Sequence, residues 1–230
     1  MIRLFCGHDK REEPGLHTFI HSVLKRSTDI VHFCPLAAMG LAQGSNAFTL
    51  SRFMVPALCG FSGHAIFCDA SDMLMVGDVA QLDALFDPKF AVQVVQHATY
   101  RSRHERKYCG TEMECAQTNY PRKNWASVML MNCEHEAWRR MFGSIPMTES
   151  NAMTLLQFHF LDNSQIGALP PEWNVLVDEG QPDDTAKILH WTAGIPGFPH
   201  YANARRSRDW FAERREMSGL TTTAHGNASR

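Results

Sequence analysis

At 230 residues the chain has room for one α/β domain with a full core, or at most two small ones, and 44% hydrophobic with 20% charged residues is an ordinary globular composition. A formal charge of -2 excludes a global electrostatic pull toward nucleic acid or an anionic membrane. The start turns polar after Cys6 and no run approaches the ~18 apolar residues of a bilayer span, which argues against a signal peptide and a transmembrane helix.

The first element is a short buried-type strand over 2–6, closed by a turn at Gly7-His8-Asp9. A helix follows over 14–25, with Pro14 in its first turn, where a missing N–H costs nothing. A second strand spans 30–33. Residues 51–58 read as helix, with Pro56 marking a kink or an early stop. An apolar strand over 65–68 then delivers Asp69 and Asp72 onto a turn just beyond its end. A helix over 79–85, a strand over 91–95, a long ordered loop over 97–120, a strand over 127–131 and a short apolar element over 155–160 follow. Strands alternating with helices in the first half predict a mostly parallel sheet flanked by helices. The second half is loop-rich, with Pro170-Pro171, Gly194, Pro196, Gly197 and Pro199. No repeat or low-complexity linker divides the chain, so one domain over 1–216 is expected, followed by a flexible polar tail over 217–230. Several of the seven cysteines lie inside these apolar runs and none forms a C-x-x-C pair, which points to a reducing, cytoplasmic setting rather than a disulfide framework or structural zinc. Twelve histidines exceed what a core needs, so some are expected to be functional.

Open α/β sheets bind ligands at the carboxyl edge of their strands, which is where Asp69 and Asp72 fall. Two hard oxygen ligands without a nearby thiolate suit Mg²⁺ or Mn²⁺ seated on substrate phosphates. The plain alternative is a turn residue and a helix cap. Gly7-His8-Asp9 can receive a nucleobase or ribose, or is an ordinary turn. Arg52 can make paired charge-assisted bonds to phosphate, or is a solvated surface residue. Lys123-Asn124-Trp125-Ala126-Ser127 offers amide and hydroxyl groups to sugar hydroxyls, although any turn leading into a strand is polar. His190 can supply a nitrogen ligand, and the small residues up to Gly194 let backbone approach a diphosphate; a hydrogen-bonded structural histidine is the commoner case. Two basic stretches, over 101–107 and 205–208, with Tyr100, Tyr108 and Trp210 close by, suit a diphosphate or an anionic acceptor against a default of solvated charge.

These segments together carry a resemblance. Phe67-Cys68-Asp69-Ala70-Ser71-Asp72-Met73-Leu74, the run from Lys123 to Asn132, Asp162-Asn163-Ser164-Gln165-Ile166-Gly167 with Leu169-Pro170 and Trp173-Asn174, and His190-Trp191-Thr192-Ala193-Gly194 occur in the order seen in family 8-like glycosyltransferases. The opening Ile2 to Asp9, with Arg11 and Glu12, is similar to the start of the bacterial and phage-associated branch of that group. The resemblance runs over 1–215. It implies a single-domain, Rossmann-like GT-A fold with a loop-rich C-terminal acceptor half. It also implies a nucleotide-diphosphate-sugar donor such as a UDP-sugar, Mn²⁺ or Mg²⁺, and transfer with retention at the anomeric carbon. The acceptor would be a glycan, a small molecule or a nucleobase of DNA.

Residue by residue, the resemblance places Gly7, His8, Asp9 and Arg11 around the nucleotide, with Asp9 on the base. Arg52 falls on the donor sugar or phosphate, and Asn124, Ser127 and Gly194 in the donor site. Asp69 and Asp72 stand at the family's Asp-x-Asp pair and His190 at its third metal ligand. Gln165 stands beside the reacting anomeric centre, with Asp162 as the nearby carboxylate. One departure is the Asp-x-x-Asp spacing: in an extended strand, positions i and i+3 face opposite ways. Both acids reach one ion only if Ala70-Ser71 forms a turn or bulge. Competing readings are a non-catalytic nucleotide-sugar- or glycan-binding protein, and a nucleotide-sugar hydrolase or nucleotidyltransferase.

Overall fold

Five apolar runs that the sequence marks as strands lie in the central sheet, and its sixth strand, Ile166–Ala168, falls in a segment not read as one. The structure, a computed structural model, describes residues 1–41 and 44–219. In chain order its first-half elements are β1 (Ile2–Gly7), α1 (Glu13–Arg26), β2 (Val31–Leu36), α2 (Val55–Leu58), β3 (His64–Cys68), β4 (Met73–Met75), α3 (Val79–Asp83) and β5 (Val92–Val94). There follow β6 (Arg106–Lys107), β7 (Cys115–Ala116), β8 (Val128–Asn132), α4 (Glu136–Ser144), α5 (Ala152–Leu156), β9 (Ile166–Ala168), β10 (Val175–Leu176), β11 (Ile188–His190) and α6 (Ser207–Met217).

The main sheet has the order β2-β1-β3-β8-β5-β9, parallel except for β8, which runs antiparallel to both neighbours. This is the expected α/β architecture with a mostly parallel sheet. Residues from Ala65 to Cys68 are buried on both faces, as a continuous apolar strand requires. One face packs Phe67, Met129 and Met131 against Phe53, Trp138 and Phe158, and the other packs Leu4, Ile66 and Leu130 against Leu16, Phe19 and Val23 of α1.

A second sheet, β10-β11-β4, was not legible in the sequence, because its strands are two or three residues long. The loop expected over 97–120 contains the β6–β7 hairpin, and α4 and α6 occupy segments read as irregular. Pro56 does not kink a helix: residues Ser51–Met54 form a 3-10 turn and Pro56 sits in the first turn of α2. Helix α6 carries the fold to Met217, one residue past the expected boundary, and residues 220–230 of the expected tail lie outside the described residues. No described helix is long and apolar enough to cross a membrane.

Helix α1 is seated against the turn that follows β3. A Cβ on Gly15 would lie 1.9 Å from the Ser71 carbonyl oxygen, so only glycine permits this approach. Helix α6 is clamped to α1 by buried Glu213, which accepts from Arg26 Nη2 at 2.8 Å and pairs with His21 Nδ1 at 2.6 Å. Burial opposes ionisation of Glu213, but Arg26 and His21 outweigh it and hold the carboxyl below the usual glutamate range.

Gly15→Ala is expected to destabilise the protein by about 2 kcal/mol through overpacking, read as a lowered Tm. An unchanged Tm would mean that α1 can move off the turn at no cost. The Glu213 clamp contributes stability above about pH 4.3, the ordinary glutamate pKa, and loses it as pH falls through the depressed folded value. Thermal unfolding from pH 6 to 3 should therefore show a shallower acid loss in Glu213→Gln than in the unsubstituted chain.

Candidate active site

The chain reverses where β3 ends. Asp69 N donates to Ser127 O at 2.9 Å, Ala70 takes φ +60°, Ser71 N donates to Asp69 O at 2.6 Å and Met73 N to Ala70 O at 3.0 Å. This left-handed turn removes the i, i+3 obstacle. Immediately afterwards β4 pairs antiparallel with β11 in the register His190↔Met73, and Trp191 N donates to Asp72 O at 2.9 Å. One ligand atom from each of Asp69, Asp72 and His190 then falls within 4.8 Å of the others, with all three side chains buried.

The imidazole is oriented by Asn174, which belongs to a segment that carries the resemblance but takes no role from it. Asn174 Nδ2 donates to Ser127 Oγ at 2.9 Å and to Asn124 O at 3.2 Å, so its Oδ1, 2.8 Å from His190 Nδ1, accepts. The proton is thereby placed on Nδ1, and Nε2, 3.4 Å from Asp72 Oδ2, presents its lone pair to the cluster. Burial pushes the Asp69 carboxyl up to about 6, against the pull of Arg52 and with help from Asp72. Burial disfavours charge on His190, but Asp72, Asp69 and Asp178 outweigh it and raise the imidazole above its ordinary value.

The donor set fits a divalent ion on its own geometry. Asp72 Oδ1 is buried without a hydrogen-bond partner among the described residues, and so is Oε1 of Glu12. Glu12 lies in the opening segment that carries the resemblance. Its carboxyl is raised well above the usual range by burial, then by Asp72 and Asp9. Such an excess of buried acid is costly unless a cation or donor completes it.

A cleft of about 360 Å³ opens from Asp69. Arg52, Lys107 and Lys123 line it, with Asn124, Ser127 and Glu149. Arg52 is buried, not solvated: Nη1 lies 2.7 Å from Asp69 Oδ1 and donates to Ala126 O at 2.8 Å, with the guanidinium over Phe48 and Phe67. Lys107 Nζ donates to Ser45 Oγ at 2.6 Å. Asn124 takes φ +63°, and its Nδ2 has no partner among the described residues.

Other expected site residues fall elsewhere. Gly7 lies beside the turn, where a Cβ would meet the Phe48 ring at 2.6 Å and Asp69 O at 2.9 Å. Adjacent His8 keeps a buried Nε2 without a partner among the described residues. Asp9 is taken up by Arg11, through Oδ1 at 2.8 Å and Oδ2 at 2.5 Å, and by the Ala47 N–H at 2.9 Å. Gly194 packs against Tyr201, 2.4 Å from where a Cβ would stand. Gln165 and Asp162 are not among the residues lining the cleft: they close a capping box on each other, Asp162 N donating to Gln165 Oε1 at 2.9 Å. Glu149, in an unremarkable polar run, lines the cleft instead. The basic stretch over 205–208 is also structural in part, since Arg205 and Arg206 pair with Asp183 at 2.6 and 3.3 Å.

No family model matches the chain. Protein CDI of Arabidopsis thaliana is 33% identical over 233 residues, covering 94% of this chain and 87% of that protein. The chain belongs to the family of Protein CDI. Among solved structures, the apo bifunctional glycosyltransferase WbbM superposes with a TM-score of 0.61 at 12% identity, over 95% of this chain and 51% of its own. The galactosyltransferase LgtC, solved with donor and acceptor sugar analogues, superposes with a TM-score of 0.57 at 12% identity, over 96% of this chain and 97% of its own. The chain thus spans about half of WbbM and nearly all of LgtC. At these identities the likeness is one of fold, and this CDI-family fold is that of the GT-A-type glycosyltransferases.

Asn174→Leu is expected to weaken Mn²⁺ binding about 10- to 100-fold in calorimetry, the usual effect of removing a partner that orients a ligating histidine. Undiminished affinity would show that Asn174 does not set the His190 tautomer. In the unsubstituted protein Mn²⁺ affinity should fall as pH drops below about 7, because the ion must displace protons from His190 and Asp69, whose pKa values are raised.

Proposed function

We propose that this protein is a metal-dependent glycosyltransferase of the family 8 type, moving a hexosyl group with retention from a UDP-sugar to a glycan or small-molecule acceptor. The observation that carries the reading is the Asp69–Asp72–His190 cluster at the carboxyl edge of the sheet, whose Asp69 lines a cleft rich in cations. Two carboxylates and an imidazole suit Mn²⁺ or Mg²⁺, which when bound would neutralise the diphosphate leaving group.

The chain's own residues supply the remaining chemistry. Among the described residues Lys107 has one hydrogen-bond partner, Ser45, which leaves donors for a phosphate oxygen. Arg52 holds Asp69 in place and brings positive charge to the cleft wall. Asn124, through its unpartnered Nδ2, offers a donor to a sugar hydroxyl. Loss of the diphosphate leaves positive charge at the anomeric carbon, and Glu149, which makes no ion pair among the described residues, is the cleft carboxylate that can face it. We assign that place to Glu149 rather than to Gln165 or Asp162, whose side chain and backbone satisfy each other. We treat residues 1–216 as one catalytic unit, and place it in the cytoplasm because all seven cysteines are free thiols.

The test is a panel of nucleotide sugars incubated with Mn²⁺, with released nucleotide and transferred sugar both quantified. A UDP-hexose consumed only with Mn²⁺, giving UDP and an α-linked product from an α-linked donor by NMR, is the expected outcome. Binding without turnover would favour a nucleotide-sugar-binding protein, and release of nucleoside monophosphate a hydrolase. Glu149→Gln should lower kcat about 100-fold with donor KM within about 3-fold, the order seen when a charge-stabilising group is lost. Gln165→Ala should keep near-normal turnover. The reverse pattern would return the reacting centre to the Gln165 corner.

A further inference from the structure

Beside the donor cleft lies a second pocket of about 350 Å³, which shares Tyr120 and Lys123 with the first. Three cations line it, Arg101, Arg122 and Lys123, and no carboxylate does. Their charges are not neutralised by ion pairing among the described residues. Arg122 donates to Gln157 O at 2.7 Å and Asn163 Oδ1 at 2.5 Å, and Lys123 to Gln117 Oε1 at 2.9 Å and Thr118 O at 2.6 Å, all uncharged acceptors. Arg101 is exposed and makes no hydrogen bond or ion pair among the described residues. Glu179, whose charge acts on Lys123, is hydrogen-bonded to Tyr100, Ser102 and the Arg103 N–H.

A fourth donor comes from His97. Gln181 Oε1 accepts from Leu176 N at 2.9 Å, which fixes the amide so that its Nε2 donates to His97 Nδ1 at 3.3 Å. The ring proton is then on Nε2, and that atom is buried with no partner among the described residues. Burial holds His97 down to about 4, so the imidazole is neutral near pH 7 and acts as a donor rather than a charge. Burial first, then the neighbouring Lys107, bring Lys123 down to about 8 against the opposing pull of Glu179.

We infer that this pocket receives an oxyanion, a phosphate or carboxylate group, carried by the acceptor. Three cations around a concave surface, with the His97 ring in its wall, focus positive potential on it, and phosphate and carboxylate are the groups whose oxygens satisfy such donors together. The assignment of the oxyanion to an acceptor rests on the transferase reading; the anion site itself does not. The acceptor class is accordingly a sugar phosphate or a uronate rather than a neutral sugar.

Inorganic phosphate and acetate, titrated calorimetrically without donor or metal, test the site directly. Arg101→Ala touches only this pocket and should raise the Kd of the preferred anion about 10-fold, with Arg101→Lys restoring most of it, as expected for a charge-assisted contact. The preferred probe separates phosphate from carboxylate as the source. In transfer assays with glucose 6-phosphate, glucuronate and glucose, Arg101→Ala should raise KM for the anionic acceptor about 10-fold and leave kcat near normal. Anion binding indifferent to both Arg101 variants overturns the site even if transfer is found. Arg101-sensitive anion binding without transfer to any acceptor supports the site and overturns the transferase reading.

Discussion

The antiparallel pairing of β4 with β11 is the constraint on which the site depends. Its register sets His190 opposite Met73, and so beside Asp72, through main-chain hydrogen bonds. A slip of one residue would turn the imidazole to the other face of the strand and disperse the cluster. The pairing requires the chain to leave the main sheet abruptly after Cys68, and Ala70 at φ +60° makes that possible. Helix α1 and strand β1 approach the turn so closely that both contact positions, Gly15 and Gly7, leave no room for a Cβ. Backbone strain and close packing thus converge on the residues that gather the acids, as is common where geometry serves function.

The electrostatics follow from that convergence. Asp69, Asp72 and Glu12 are drawn into one buried region, and their mutual repulsion is offset by Arg52, His190 and Lys107. Unpartnered oxygens on Glu12 and Asp72 mark where this balance is incomplete in the protein alone. Across the cleft the imbalance reverses, and cations exceed acids. A site that is locally too acidic on one wall and too basic on the other is suited to a cation bound together with a polyanion.

The long segment over 97–120 brings the basic wall into place although it has little regular structure. Glu179 holds Tyr100, Ser102 and Arg103, and Tyr108 N donates to Ala193 O at 2.7 Å. These bonds tie the loop to the segments that follow β10 and β11, so Lys107 reaches the Asp69 cleft from residues distant in sequence. Charged residues within one stretch consequently have unlike fates: Lys107 faces the cleft, Arg101 the adjoining pocket, and Arg106 pairs with Glu114 at 2.7 Å.

Local physics made part of this legible in the sequence. Most buried strands announce themselves as continuous apolar runs, α1 by Pro14 in its first turn, and the turn at Ala70-Ser71 by the spacing of the two acids. Asp69, Asp72 and His190 could be named because carboxylates and imidazole at strand ends are chemically distinctive. Glu149 could not, since a glutamate in a polar turn looks like any solvated residue, whereas Gln165 drew notice from a motif and proves tied to its own turn. Nor could Asn174 be seen to set a histidine tautomer, or Asp9 to be taken up by Arg11 and Ala47. By itself the sequence determined the α/β class, five of the six strands of the main sheet and which acids and imidazole are candidate metal ligands, because each follows from periodicity or residue type within a few positions. Which groups meet, which are satisfied and which are left facing a cavity was decided only in the tertiary structure, because those facts depend on pairings between segments as far apart as Met73 and His190.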